Sequence, residues 1–162
     1  MKLIIGSDHV GFELKEELKA FFDKNKIDYE DIGPRKYDKD DDYPYYSLKV
    51  AEKVAKLKCM GIIIGKSGEG EAIVANKVPG IRAVVYYGEN KNIIKLSREH
   101  NDSNVLSLGA GFLSSKEAIE AVKLWLKTPF SNAERHKRRL KEISRFERKR
   151  WKSITWINRI EN

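Results

Sequence analysis

The sequence has a single cysteine, Cys59, among 162 residues, so an intramolecular disulfide is impossible and a cysteine-based zinc site is excluded. It also lacks any apolar run near the roughly 18 residues that a membrane-spanning helix needs. The first apolar stretch, Leu3–Ile5, is too short for the hydrophobic region of a signal peptide. We therefore expect a cytoplasmic protein, and its length fits one domain with a sizeable core.

Positive charge is concentrated near the carboxyl terminus. The net charge is +8, and residues 134–162 hold 11 of the 32 basic residues but only 4 of the 24 acidic ones. The rest of the chain is close to neutral. A basic segment of this kind suits a nucleic acid, an anionic substrate or a solvated helix face, and composition alone leaves the three open.

Strand-like and helix-like patterns alternate along the chain. Strands are predicted at Lys2–Ser7, Ile27–Ile32, Met60–Ile64, Arg82–Tyr87 and Val105–Leu108. Helices are predicted at Glu13–Lys24, from Pro44, at Ala72–Asn76, at Asn90–Glu99, from the capping box of Ser114 and Glu117, and from about Asn132 to Trp151. This order predicts a three-layer α/β/α sandwich around a mainly parallel, five-stranded, Rossmann-like sheet. In such sheets ligands bind beyond the carboxyl ends of the strands.

A glycine-rich turn, Gly65–Gly70, follows the third predicted strand. Its backbone N–H groups, placed just before a helix, suit an anion cradle or an oxyanion hole. It is not a nucleotide P-loop, because that motif requires glycine at the position of Met60. Glu71 then opens the helix. By itself, such a residue is an ordinary first-turn acid that offsets the helix dipole.

Other candidate residues lie at three places. Asp8 and His9 follow the first strand, where Asp8 is equally consistent with contacting a ligand and with capping the next helix. His100 closes a helix, a common position for a C-terminal cap. Arg135 and Arg139 share one face of the last helix, which suits either solvent or a phosphate group.

Together these residues resemble type B ribose-5-phosphate isomerases. The matching pieces stay in order and cover roughly Met1 to Arg148. They are Gly6–Phe12, Asp42–Pro44, Gly65–Glu71 running into Ala75–Lys77, Gly80–Ala83, Glu99–Asp102 and Arg135–His136. The resemblance implies an aldose–ketose isomerase of the pentose phosphate pathway that uses no metal or organic cofactor. It also implies dimers, sometimes paired into tetramers, with active sites at the subunit interface.

The resemblance implies a role for each matching residue. One branch of the family uses a cysteine base at the position of Gly65, and the other uses a glutamate at the position of Glu71, so this chain resembles the glutamate branch. We expect burial beside Ile73 to raise the pKa of that glutamate. His100, helped by Asp8, would open the sugar ring, and Ser67 would relay a proton between the two oxygens. Substrate contacts are implied for Asp8, His9, Tyr43, Ser67, Gly68, Glu69, Gly70, Asn101, Arg135 and Arg139, and Lys66 is a further candidate for substrate binding.

Two positions depart from the family pattern. Gly111 stands where the family usually has an arginine, and Lys66 where it commonly has glycine. Our hypothesis is that Lys66 restores the missing positive charge. Beyond the isomerase domain of residues 1–150, the tryptophan-containing extension of residues 151–162 is predicted to pack on a partner subunit, in preference to a membrane or a nucleic acid.

Several alternatives stay open at this point. The same chemistry on a six-carbon substrate, allose 6-phosphate or galactose 6-phosphate, is the nearest one. A family member that has lost activity is another, although the presence of Asp8, Ser67, Glu71 and His100 argues against it. The most distant alternative is a non-catalytic nucleic-acid binder that uses the basic last helix, and this binder would show salt-sensitive binding.

Overall fold

Strands and helices alternate along the chain in the computed structural model, which describes the backbone of residues 2–157 and the side chains of residues 2–149. The strands are β1 (Leu3–Ser7), β2 (Tyr29–Asp31), β3 (Met60–Gly65), β4 (Ala83–Tyr86) and β5 (Val105–Gly109). The helices are α1 (Phe12–Lys24), α2 (Tyr43–Leu57), α3 (Glu69–Ala75), α4 (Asn92–Asn101), α5 (Ser115–Lys127) and α6 (Glu134–Ile157).

The five strands form one parallel sheet in the order β2-β1-β3-β5-β4. The sheet grows outward in one direction from β1 to β2 and in the other from β3 to β5 and β4. The strand order therefore reverses between β1 and β3, which is where open α/β sheets bind their ligands. The predicted three-layer, Rossmann-like architecture is confirmed, with every pairing parallel.

Alternating strand residues feed two hydrophobic clusters, one on each face of the sheet. Leu3 and Ile5 of β1 face the cluster under α1, α4 and α5, whereas Ile4 faces the cluster under α2 and α3. Successive side chains of a strand point to opposite faces, so the continuous apolar strands reflect burial on both sides. Cys59 packs at the edge of the second cluster, only partly buried.

Most predicted helix and strand boundaries lie within two residues of the observed ones, and the start of α3 and the end of α6 differ by more. β2 is shorter than predicted, because this edge strand pairs only with β1. α3 begins three residues before its predicted start, because Gly68 adopts a left-handed φ of 82° and acts as its N-cap. The capping box of Ser114 and Glu117 is confirmed at the start of α5.

The last helix runs six residues further than predicted. The predicted packing of residues 151–162 on a partner lies outside the residues whose side chains are described. Within residues 2–157, no helix is both long and apolar enough to cross a membrane. The described part of the chain also places no three His, Cys, Asp or Glu side chains where they could hold a metal ion.

Candidate active site

The Glu71 carboxyl lies against the α-carbon of Gly65, at the carboxyl end of β3. A Cβ built on Gly65 would lie 1.7 Å from Glu71 Oε1 and 2.2 Å from its Cδ, so the carboxyl occupies the space that any side chain at this position would need. Glu71 is only 4% exposed. A glutamate in this place and a side chain at position 65 therefore exclude each other.

Burial raises the pKa of the Glu71 carboxyl, its own backbone N–H opposes that rise, and the negative charge of Asp8 adds to it. A raised pKa makes the carboxylate a better proton acceptor. The predicted direction of the shift is confirmed, but Ile73 is not its cause. Ile73 is 60% exposed on α3, and the carboxyl is buried against β3 instead.

Asp8 lies beside this carboxyl, directly after β1. Its Oδ1 accepts a hydrogen bond from the Gly11 N–H at 2.8 Å, just before α1 begins. The side chain is buried, and this burial raises the pKa of Asp8 even though the Gly11 bond lowers it. The Asp8 carboxylate thus fixes the backbone just before α1 and also contributes to the electrostatics at Glu71, while its contact with a ligand stays a prediction.

The imidazole of His9 contacts the loop between β2 and α2. Asp41 Oδ1 accepts two hydrogen bonds from His9, one from the backbone N–H at 3.0 Å and one from Nδ1 at 2.7 Å. The bond to Asp41 raises the pKa of His9, and the charge of Asp8 adds to the rise. These interactions therefore stabilise the cationic form of His9 relative to a free imidazole.

The glycine loop, Gly65–Gly70, is contacted by side chains from β5 and α2 and by a hydrogen bond within the loop region. Ser107 Oγ of β5 donates to the Gly68 carbonyl at 2.6 Å, and Ser67 Oγ accepts from the Glu69 N–H at 3.3 Å. A Cβ on Gly70 would lie 2.9 Å from Tyr43 Oη, so the phenol rests on the loop. The N–H groups of the first turn of α3 have no intrahelical acceptors and suit a developing oxyanion.

Lys66 and Gly111 lie in contact at the same edge. The Gly111 N–H donates to the Lys66 carbonyl at 2.9 Å. A Cβ on Gly111 would lie 3.3 Å from Lys66 Cγ, so the exposed lysine side chain begins where a side chain at position 111 would begin.

His100 and Asn101 end α4 at the opposite, amino edge of the sheet. Arg82, which precedes β4, donates from Nε to the carbonyls of Asn101 at 3.0 Å and Asp102 at 2.8 Å. The Asp102 carboxylate lies between two guanidinium groups, with Arg82 at 2.9 Å and Arg98 at 2.9 Å. These charged hydrogen bonds satisfy the last carbonyl groups of α4, which a glycine cap satisfies in many other helices.

The first turn of α6 joins this amino edge. The ring of His136 packs on that of His100 with 4.3 Å between centroids. Arg135 Nε donates to His136 Nε2 at 3.0 Å, so Nδ1 carries the proton and donates to Ser131 Oγ at 2.7 Å. Burial lowers the pKa of His136, and the charges of His100, Arg135 and Arg139 lower it further. Arg135 and Arg139 thus lie near His136, whose ring stacks on that of His100.

The candidate residues therefore fall into two groups. The carboxyl-edge half comprises Asp8, His9, Tyr43, Lys66, Ser67, Gly68, Glu69, Gly70 and Glu71. The amino-edge half comprises His100, Asn101, Arg135 and Arg139. The five residues of β5 alone span roughly 13 Å, so His100 cannot reach the pocket of Glu71 in its own chain.

Sequence reasoning missed three residues that hold the candidates in place: Asp41, Arg82 and Asp102. Arg82 and Asp102 stand inside matched motifs, but nothing in their spacing indicates that they pair. Asp41 is one of several aspartates in an acidic loop, and only the folded loop distinguishes it from its neighbours.

Comparisons with known proteins agree with this geometry. A sequence profile of the Ribose/Galactose Isomerase family matches residues 3–143. Ribose-5-phosphate isomerase B of Mycolicibacterium paratuberculosis is 38% identical over 149 residues, 91% of this chain and 92% of its own. The Clostridium thermocellum ribose-5-phosphate isomerase B structure superposes with a TM-score of 0.86 at 43% identity, over 92% of this chain and 99% of that one.

A third relative was crystallised with a ligand. Ribose-5-phosphate isomerase B from Mycoplasma genitalium, with bound ribulose-5-phosphate, superposes with a TM-score of 0.86 at 35% identity. The match covers 91% of this chain and 96% of that one.

Proposed function

The chain belongs to the ribose/galactose isomerase family, and from that premise we propose that it interconverts ribose 5-phosphate and ribulose 5-phosphate with Glu71 as the base. The observation that carries the proposal is the Glu71 carboxyl packed on Gly65. It provides a buried carboxylate at the sheet's switch point, with an elevated pKa and no competing side chain.

The reaction moves one proton between neighbouring carbons of the open-chain sugar. Glu71 takes the proton from C2 of the aldose, the C–H electron pair forms the C1–C2 double bond, and the carbonyl electrons move onto O1. Ser67 relays the O2 proton to O1. Glu71 then returns its proton to C1 as the C2 carbonyl forms, so the base ends as it began.

The first turn of α3 stabilises the negative charge that develops on the substrate oxygen. The N–H groups there, at Gly70 and its neighbours, stabilise the enediolate because they are fixed before the reaction starts. Tyr43 and Glu69 border the same pocket and contact the sugar. Lys66 supplies positive charge at the edge of the pocket, where it binds the phosphate in place of a side chain at position 111.

The ring-opening and phosphate-binding groups come from a second copy. In this homodimer, His100 of the partner subunit opens the ring with Asp8, and Arg135 and Arg139 of the partner subunit bind the phosphate. A two-fold axis brings the carboxyl-edge half of each copy to the amino-edge half of the other, and it produces two equal sites.

Exposed apolar side chains on both halves support this assembly. Ile73 of α3, two residues after the base, is 60% exposed, and Ile143 and Phe146 of α6 are 44% and 73% exposed. Of these, Ile143 and Phe146 line one surface pocket together, and exposed apolar patches of this kind mark interaction sites. Sedimentation measurements test for the dimer and report whether dimers pair further into tetramers.

A coupled assay tests the substrate. We expect turnover of ribose 5-phosphate and much weaker turnover of allose 6-phosphate or galactose 6-phosphate. A preference for a six-carbon substrate would contradict the substrate assignment while leaving the chemistry intact, and no turnover of any of them would contradict both. The reaction would place the enzyme in the pentose phosphate pathway, and a cytoplasmic location stays a prediction from the sequence.

Mixing two inactive variants tests the shared site. Glu71→Gln and His100→Asn damage different halves, so a mixed dimer keeps one intact site of two. Because half of randomly exchanged dimers are mixed, we expect about a quarter of the wild-type activity to return. Glu71→Gln mixed with Asp8→Asn is the control, because both variants damage the same half and no recovery follows. Failure of the first mixture after proven subunit exchange would contradict the composite site.

A further inference from the structure

The loop between β2 and α2 ends in a run of aspartates. One of them, Asp41, forms hydrogen bonds with His9. Asp41 Oδ1 accepts both the backbone N–H and the imidazole Nδ1 of His9, at 3.0 and 2.7 Å. Its neighbour Asp40 is exposed, and its backbone N–H bonds Asp38 instead. The two adjacent aspartates therefore occupy different environments in the same loop.

This contact fixes the tautomer of His9. A carboxylate only accepts hydrogen bonds, so the proton lies on Nδ1 and the other ring nitrogen, Nε2, is left for a ligand. The Asp41 side chain is 6% exposed, whereas that of His9 is 29% exposed. The buried carboxylate of Asp41 thus bonds the partly exposed imidazole of His9 at the carboxyl edge of the sheet.

The second carboxylate oxygen of Asp41, Oδ2, differs from Oδ1, which bonds His9. Asp41 Oδ2 is buried without a hydrogen-bond partner among the described residues. Leaving a charged oxygen unpaired in a buried position is costly, and a neutral amide could accept the same two bonds from His9. The negative charge of Asp41 acts on the imidazole of His9, to which its Oδ1 is hydrogen-bonded.

We propose that Asp41 is a positioning residue for His9, which it keeps as an imidazolium whose Nε2–H donates to an anionic oxygen of the bound sugar phosphate. The inference rests on the proposed function, because it takes this edge of the sheet as the sugar-phosphate pocket. The groups that face His9 are Asp8 after β1 and, from the loop, Asp41 and the ring of Tyr37, whose centroid is 6.3 Å away. Both charged groups among them favour the cation.

The first arm of the experiment reads the imidazole directly. The chain has three histidines, so nitrogen and carbon NMR of the rings can be assigned with a His9→Gln variant. We expect a proton on Nδ1 and a raised pKa for His9 in the wild type. In Asp41→Asn the pKa should fall to about its ordinary 6.5, and in the Asp40→Asn control it should stay as in the wild type.

The second arm compares Michaelis constants across pH. Below about pH 6 His9 is protonated in both proteins, so the KM ratio of Asp41→Asn to wild type is near one. Between the two His9 pKa values only the wild type keeps its cation, and we expect the ratio to rise roughly tenfold. The ratio cancels the titrations of substrate and Glu71, which both proteins share, and kcat should change little.

Each outcome decides the proposal. A drop in the His9 pKa together with a pH-dependent KM ratio supports it. An unchanged His9 pKa in Asp41→Asn, a KM ratio that stays flat with pH, or an equal KM effect in Asp40→Asn overturns it. If the wild type fails to turn over ribose 5-phosphate, the proposed function falls, and inorganic phosphate binding followed at the His9 resonances still decides whether Asp41 controls an anion-binding imidazole.

Discussion

The two edges of the sheet carry opposite kinds of functional surface. At the carboxyl edge, a buried acid packs on a glycine, as Glu71 does on Gly65. At the amino edge, histidine and arginine side chains cluster at helix ends and are fixed by ion pairs such as Arg82 with Asp102. The first edge raises the pKa of a carboxyl by burial, and the second gathers the positive charge that we propose a partner subunit uses.

The largest effect should follow from removing the base at the carboxyl edge. Glu71→Gln keeps the shape of the side chain but cannot accept a proton, so kcat should fall by about 10²–10⁴ while KM changes little. Steady-state kinetics with ribose 5-phosphate measures both. Glu13→Gln is the matched control, because Glu13 is the first-turn acid of α1. Turnover near that of the wild type in Glu71→Gln would remove Glu71 from the mechanism.

The glycine under the base should matter almost as much. In Gly65→Ala the new methyl group would overlap the Glu71 carboxyl, which must move, and a displacement of about 1 Å can cost roughly 10²-fold in kcat. If Gly65 acts through Glu71, then Gly65→Ala added to Glu71→Gln should cause little further loss. Additive losses in this double-mutant cycle would show that Gly65 acts in some other way.

Local patterns in the sequence predict the carboxyl edge well. The glycine loop, the helix after it and Asp8 after β1 all follow from turn chemistry and from the rule that ligands bind where strands end. The contact between Gly65 and Glu71 needs only a six-residue separation, so a motif can contain it.

The amino edge is harder to predict, because its geometry depends on distant parts of the chain. Nothing in the sequence around His100 shows that α4 ends at the edge opposite Glu71; that follows from the direction in which α4 crosses the sheet. The pairing of Arg82 with Asp102 links residues 20 positions apart. Asp41 and His9 are 32 positions apart, and charge pattern alone cannot select one aspartate from an acidic loop.

A smaller effect should follow from removing the hydrogen bonds that fix the end of α4 at the amino edge. Arg82→Gln removes the bonds to Asn101 and Asp102, so we expect kcat to fall roughly tenfold and the free energy of unfolding by about 1–3 kcal/mol. Kinetics and thermal denaturation measure the two. Lys95→Gln is the control, because it removes one positive charge from the exposed side of the same helix.

Mixed dimers separate this local role from general destabilisation. In the mixture of Glu71→Gln and His100→Asn chains, the surviving site takes its amino-edge half from the Glu71→Gln chain. Arg82→Gln should therefore reduce the recovered activity when it is placed on that chain and leave it unchanged on the His100→Asn chain. Equal losses of activity from both placements would show that Arg82 stabilises the fold as a whole and has no specific role in the amino-edge half.

The smallest effect should come from Lys66, the one lysine proposed for phosphate binding from the carboxyl edge. Lys66→Ala should raise KM about threefold to fivefold with kcat unchanged, because one exposed charge contact is lost. Lys116→Ala removes an exposed charge from α5 and serves as the control. Since Lys66 Cγ lies 3.3 Å from a Cβ built on Gly111, an arginine there would start from the same place. Gly111→Arg should thus restore KM in Lys66→Ala, and an unchanged KM in the single variant would remove Lys66 from phosphate binding.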